Sequence, residues 1–242
     1  MPKSLDRWRS AWRSHDFRDQ LFVSLAGLVI ASALMVLFLD YVEGRPGVAL
    51  HDPLLQFFPA VDLRLITFSL VYSGMILGFL SVASHPFALL LALRASVVIL
   101  LMRIVTIFLL PLDPPAGIIP LTDPFIQWPG VPPVLTRDLF FSGYAAIMAL
   151  FVFVSEWNDM KIIFTCIGTG VSVLFLLHHA HYTIDVLAAP CFSYVAFSIA
   201  KWNLVQEIPD SSGQTRTPGQ SSQGSRFMTR IGQLQLKKSS DK

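Results

Sequence analysis

The sequence predicts an all-α membrane protein built on six transmembrane helices. Three observations carry that prediction. The 242 residues are 53% hydrophobic and only 14% charged, where a soluble domain carries roughly 25% charge. Mean hydropathy is +0.58. The apolar residues fall in long runs between short polar gaps, and most runs approach the ~20 residues that a bilayer core asks of a helix. This composition excludes an ordinary soluble domain, a disordered chain and a disulfide scaffold. Cys166 and Cys191 both lie in apolar runs, so no disulfide framework is expected. A net charge of +2 gives no reason to expect nucleic acid.

The spans follow in order. Residues 21–39 form the first; the run exceeds a signal-peptide core, and no small-residue cleavage site follows it. Residues 65–83 form the second, closed by the tight break His85-Pro86. Residues 87–112 form the third and residues 139–154 the fourth, after which Glu156, Asp159 and Lys161 interrupt the chain. Residues 162–177 and 184–200 form the fifth and sixth, with Pro190 expected to kink the last. The organisation is a basic amphipathic segment at 1–20, a six-helix membrane domain at 21–201 and a flexible basic tail at 202–242. Trp8 and Trp12 among arginines suit a helix lying on an anionic membrane surface. In the tail, a Ser/Gln/Gly/Pro-rich linker precedes Phe227, Ile231 and Leu234 at helical spacing. A second surface helix and a disordered tail fit that stretch equally well.

Lys and Arg set the orientation. The N-terminal segment, the fourth loop and the tail together hold 13 of the 18 Lys and Arg residues, whereas loops one, three and five hold only Arg45, Arg64 and Arg137. Both termini are therefore expected in the cytoplasm. A short chain without a targeting signal suits a bacterial inner membrane.

Ionisable residues in or beside a span are functional suspects. His181 and Asp185 are four apart at the start of the sixth helix, so they share a face. An Asp on one ring nitrogen leaves the other free as a nucleophile or base; the plainer alternative is a pair that ties loop to helix. Arg103 lies near the outer end of the third helix, where it either clamps a phosphate or snorkels to the headgroups. Ser142 and Gly143 open the fourth helix, whose free N–H groups favour anions, unless Asp138 caps it. His51 and Asp52 lie in loop one and are expected to pack. The clusters from helices three, four and six reach one face, which points to a shared outward pocket for a phosphate-bearing lipid.

These residues resemble a known family. The run His179 to Val186 is similar to the last motif of the sphingomyelin synthases, a branch of the type-2 phosphatidic acid phosphatase superfamily. Asp138 to Gly143 resembles the motif before it, Arg103-Ile-Val-Thr106 its third-helix motif, and Asp52-Pro53-Leu54 its first-loop motif. The likeness covers residues 45–200. It implies a PAP2-like helical bundle and a lipid phosphotransferase or phosphatase that needs no cofactor and no metal. In such an enzyme His181 attacks the headgroup phosphate and Asp185 orients it. Arg103, Ser142, Gly143 and His179 bind the phosphate, and a lipid alcohol or water is the acceptor. The lipid chains are expected to stay in the bilayer while the headgroup enters the pocket.

The chain departs from the family at one decisive position. Its second, acid–base histidine is replaced by Tyr144. A phenol with an ordinary pKa near ~10 donates a proton but is a poor base at neutral pH. One alternative is therefore an active enzyme in which Tyr144, His178, His179 or His51 substitutes. A second is a degenerate member that binds lipid without turnover. A third is an unrelated membrane protein, including one with a metal held by His178, His179, His181 and Asp185.

Overall fold

Seven α-helices and no strand make up the residues described by the computed structural model, 2–120 and 135–207. Residues 1–200 form one compact unit; the second, 201–242, is described only through residue 207. The expected linker and basic tail from residue 208 lie outside the described residues.

Helix α1 (Pro2–Arg13) is the expected amphipathic segment. Its Trp8 indole donates to the Ala83 carbonyl at 2.8 Å, and the Ser4 hydroxyl to that of Ser84 at 3.1 Å. Both carbonyls belong to the turn between α3 (Arg64–Ala83) and α4 (Pro86–Leu109). Leu5 and Trp12 remain exposed. Ser14 then caps α2 (His15–Glu43), accepting from the Phe17 N–H. The first membrane helix thus begins earlier than hydropathy alone indicates.

Among the described residues five helices are long and apolar enough to cross a membrane: α2, α3, α4, α6 (Asn158–Leu177) and α7 (Thr183–Glu207). The expected fourth span differs. Only α5, Gly143–Val154, is helical there, 12 residues and about 18 Å long at ~1.5 Å per residue. Its start is fixed by backbone conformation, because Phe140 and Phe141 take φ of 69° and 44°. Few non-glycine residues adopt that region, and no right-handed helix includes it. The alternative of an Asp138 cap is not what forms: the Ser142 hydroxyl accepts from the Ala145 N–H at 3.5 Å, while Asp138 pairs with Arg103. The third span also ends early, at Leu109, because Pro111 has no N–H to continue the helix. Helix α7 runs through Pro190 without a break in its assignment.

Helix α2 packs along α4, α5 along α6, and α3 lies against α4, α5 and α6. The shared core includes Ala95, Ile99, Ala146, Met148, Phe164 and Ala189. Small residues permit the close approaches. A Cβ on Gly78 of α3 would sit 2.2 Å from the Phe151 ring of α5, so only glycine lets these helices meet. Helices α2 and α3, by contrast, barely touch.

At the end away from α1 the loops are interwoven. Val48 and Leu112 form a short parallel bridge. The Glu43 carboxylate accepts from the Thr136 N–H at 3.0 Å and the Arg137 N–H at 3.1 Å, and Arg137 Nε donates to Asp113 at 2.8 Å. These bonds hold the extended segment that leads into α5.

Candidate functional site

The site forms where two loops meet, the one that enters α5 and the turn from α6 to α7. Ser142 N–H donates to the Asp185 carbonyl at 3.2 Å and joins them. Phe141 stacks on Phe192 of α7, centroids 4.5 Å apart. Among the described residues, the three non-glycine residues with positive φ, Phe140, Phe141 and His179, all belong to these loops. Such conformations cost about 1–3 kcal/mol each and persist where the surroundings impose them, often at functional sites.

His181 and Asp185 make the expected pair: Nδ1 lies 3.2 Å from Oδ2. The same Oδ2 accepts from the Tyr182 N–H at 3.0 Å. A carboxylate only accepts, so Nδ1 carries the proton and Nε2 keeps its lone pair. Asp185 is 0% exposed and His181 9%. Asp185 Oδ1 is buried with no hydrogen-bond partner among the described residues. A half-satisfied buried carboxylate is costly and calls for a reason beyond packing.

Arg103 is buried and does not snorkel. It is 4% exposed. Its guanidinium donates to the Asp138 carboxylate and the Phe141 carbonyl and lies over the Phe141 ring. A Cβ on Gly143 would stand 2.9 Å from Arg103 Nη1; glycine makes room for the guanidinium.

Arg103, Asp138, Gly143, Tyr144 and His181 line one cavity of about 580 Å³. The Tyr144 ring stacks on Phe175 at 5.9 Å, and Phe175 meets His181 edge-on at 5.1 Å. The remaining expected site residues stand elsewhere. Ser142 is fully buried as the cap of α5 and does not line the cavity. His179 does not line it either; its ring nitrogens face the Ala116 and Phe58 carbonyls at 3.1 and 3.2 Å. His178 Nε2 accepts from the Leu63 N–H at 2.8 Å, and His51 contacts Gln56. Of the four candidates to replace the missing histidine, Tyr144 alone reaches the cavity. His178 and His179 do not join the His181–Asp185 pair: among the described residues no group of three His, Cys, Asp or Glu side chains is close enough to hold an ion.

Loop one does more than pack. Asp52 accepts from the Thr183 N–H at 2.6 Å and from its hydroxyl at 3.1 Å. It therefore caps α7, the helix that carries Asp185. Burial pushes the Asp52 carboxyl up, but the bonds from Thr183, Leu54 and Leu55 together outweigh it and hold it below its ordinary range. The Tyr182 hydroxyl donates to the Asp113 carbonyl at 2.9 Å and accepts from the Leu50 N–H at 3.0 Å. Both partners are distant in sequence, and no local signal marks them.

No family model matches the chain, and no curated protein matches it.

Proposed function

We propose that this protein is an integral-membrane lipid phosphotransferase or phosphatase of sphingomyelin-synthase-like type, in a PAP2-like bundle that crosses the membrane six times. Both termini lie in the cytoplasm, of a bacterial inner membrane on this reading, and the site faces outward. The observation that carries the reading is the convergence of the His181–Asp185 pair and Arg103 on one cavity. His181 Nε2 attacks the headgroup phosphorus. An N–P bond forms, the P–O bond to the lipid alcohol breaks, and the leaving oxygen takes a proton, for which the Tyr144 phenol is the nearest candidate acid. A lipid alcohol or water then attacks the phosphohistidine, an O–P bond forms as the N–P bond to Nε2 breaks, and the acceptor's proton passes to water at the outward-facing site. Arg103 steadies the phosphate charge and Asp185 the imidazole. No cofactor enters.

The test uses purified protein in vesicles of phosphatidylcholine and phosphatidylethanolamine labelled in the headgroup phosphate, with and without ceramide or diacylglycerol. Wild type is expected to release or transfer labelled headgroup, and His181→Ala to lose this entirely. Full turnover in His181→Ala overturns the nucleophile assignment.

A second reading, lipid binding without turnover, is favoured by Tyr144 in the cavity and by the Asp138 carboxylate already on Arg103. It predicts bound lipid with no released headgroup in folded wild-type protein. Label trapped on wild type and absent from His181→Ala marks a stalled first half-reaction instead.

A further inference from the structure

The cavity is far deeper than a headgroup needs. Its polar end holds Arg103, Asp138 and His181; from there it follows α4 past Ser96 and Ala92 to Leu89. At about 1.5 Å per residue, Arg103 and Leu89 are about 21 Å apart along the helix. Half of a ~30 Å hydrocarbon core, the depth of one leaflet, is only about 15 Å. Val82 of α3 and Phe151 of α5 line the same far end, and Phe151 is pinned there against Gly78. The walls are apolar, interrupted midway by Ser32 and Ser96. Helices α2 and α3 both line the cavity yet barely touch each other.

We infer that an acyl chain of the bound lipid lies inside the bundle along α4, and that the floor at Leu89, Val82 and Phe151 sets the chain length the protein accepts. The inference rests on the proposed phosphate reading for the occupant of the polar end. It replaces the expectation that the chains remain outside. Hydrocarbon gains little by moving from bilayer to protein, so selection comes from fit. A chain that is too short leaves void, and one that is too long overpacks the floor.

Monoalkyl phosphates of 8 to 20 carbons are the probe, competed against radiolabelled hexadecyl phosphate on the full chain in detergent. Wild-type affinity is expected to pass through a maximum with chain length. Ser96→Phe raises the floor: the maximum moves to shorter chains, with at least a tenfold loss for hexadecyl phosphate and retained octyl phosphate binding. Leu89→Ala deepens it and moves the maximum the other way, a gain that misfolding cannot produce. Identical profiles in all three proteins overturn the inference, and do so without touching the phosphate reading if alkyl phosphates still outcompete the matching alcohols. If the alcohols compete equally well and the profiles shift as expected, the chain site stands and the phosphate reading falls.

Discussion

Tyr144 carries a phenol at the cavity wall where the family resemblance implies an imidazole. A positioned acid–base group contributes about 10²–10⁴ in rate, and a phenol supplies the acid half of that role alone. Tyr144→His is therefore expected to raise headgroup turnover by at least ~10-fold, and most of all in the step that activates the acceptor. An unchanged rate in the vesicle assay would mean that another group moves the proton. The His181–Asp185 pair was legible in the sequence from its four-residue spacing, although His181 stands in the turn before α7 and Asp185 of the first helical turn reaches back to it. Arg103–Asp138 was not: the partners are 35 residues apart, and the pairing depends on Phe140 and Phe141 taking a conformation that their side chains do not favour. His179 was misleading for the same reason. Its φ of 54° turns the ring toward Phe58 and Ala116, although it is only two residues from His181.

At the scale of the element, the turn from α6 to α7 is held by two side chains whose titrations fall in different pH windows. His178 caps the C-terminus of α6 and is fully buried. Burial pushes its imidazole below the ordinary value, more than the nearby Asp62 carboxylate raises it. The unfolded chain then binds the proton more readily, so the contribution is full above ~6.5 and declines as pH falls below it. Protonation also costs the bond from Leu63, because Nε2 would become a donor facing a donor. Asp52 acts lower: its native value lies below that of the unfolded carboxyl, so its contribution holds above ~3.9 and is lost as pH falls through the native value. Thermal unfolding in detergent from pH 8 to 5 should therefore show a falling midpoint in wild type. His178→Gln, which keeps a side-chain acceptor but does not titrate, should flatten that slope and leave any Asp52 effect below pH 4 intact. Equal slopes would assign the pH response to another group. Hydropathy revealed the helices but not this turn, because a cap from loop one to α7 is a tertiary contact with no period.

For the whole molecule, α5 decides the crossing number. Its helix covers about 18 Å of a ~30 Å core. The non-helical residues 138–142 lead into it, and with Phe140 and Phe141 at positive φ they turn rather than run as a strand. Non-helical backbone at membrane depth is tolerated only where protein satisfies it. Here the Phe141 carbonyl accepts from Arg103 and the Ser142 N–H donates to the Asp185 carbonyl, so the residues that build the site also satisfy the backbone that leads into α5. Hydropathy registered 139–154 as one apolar run and could not divide it, since Leu139, Phe140 and Phe141 are as apolar as the helix that follows. Single cysteines test the result. With Cys166 and Cys191 replaced by serine, Gln56→Cys should react with an impermeant maleimide added to intact cells. Ser10→Cys and Asn158→Cys should react only after lysis if the proposed six crossings hold, because that topology puts an even number of crossings between α1 and the start of α6, with the arginines of α1 inside. Labelling of Ser10→Cys and Asn158→Cys from outside, with Gln56→Cys protected, would invert the orientation and keep the crossings. Opposite behaviour of Ser10→Cys and Asn158→Cys would remove α5 as a span, and the site would lose the extended segment that brings Asp138 to Arg103.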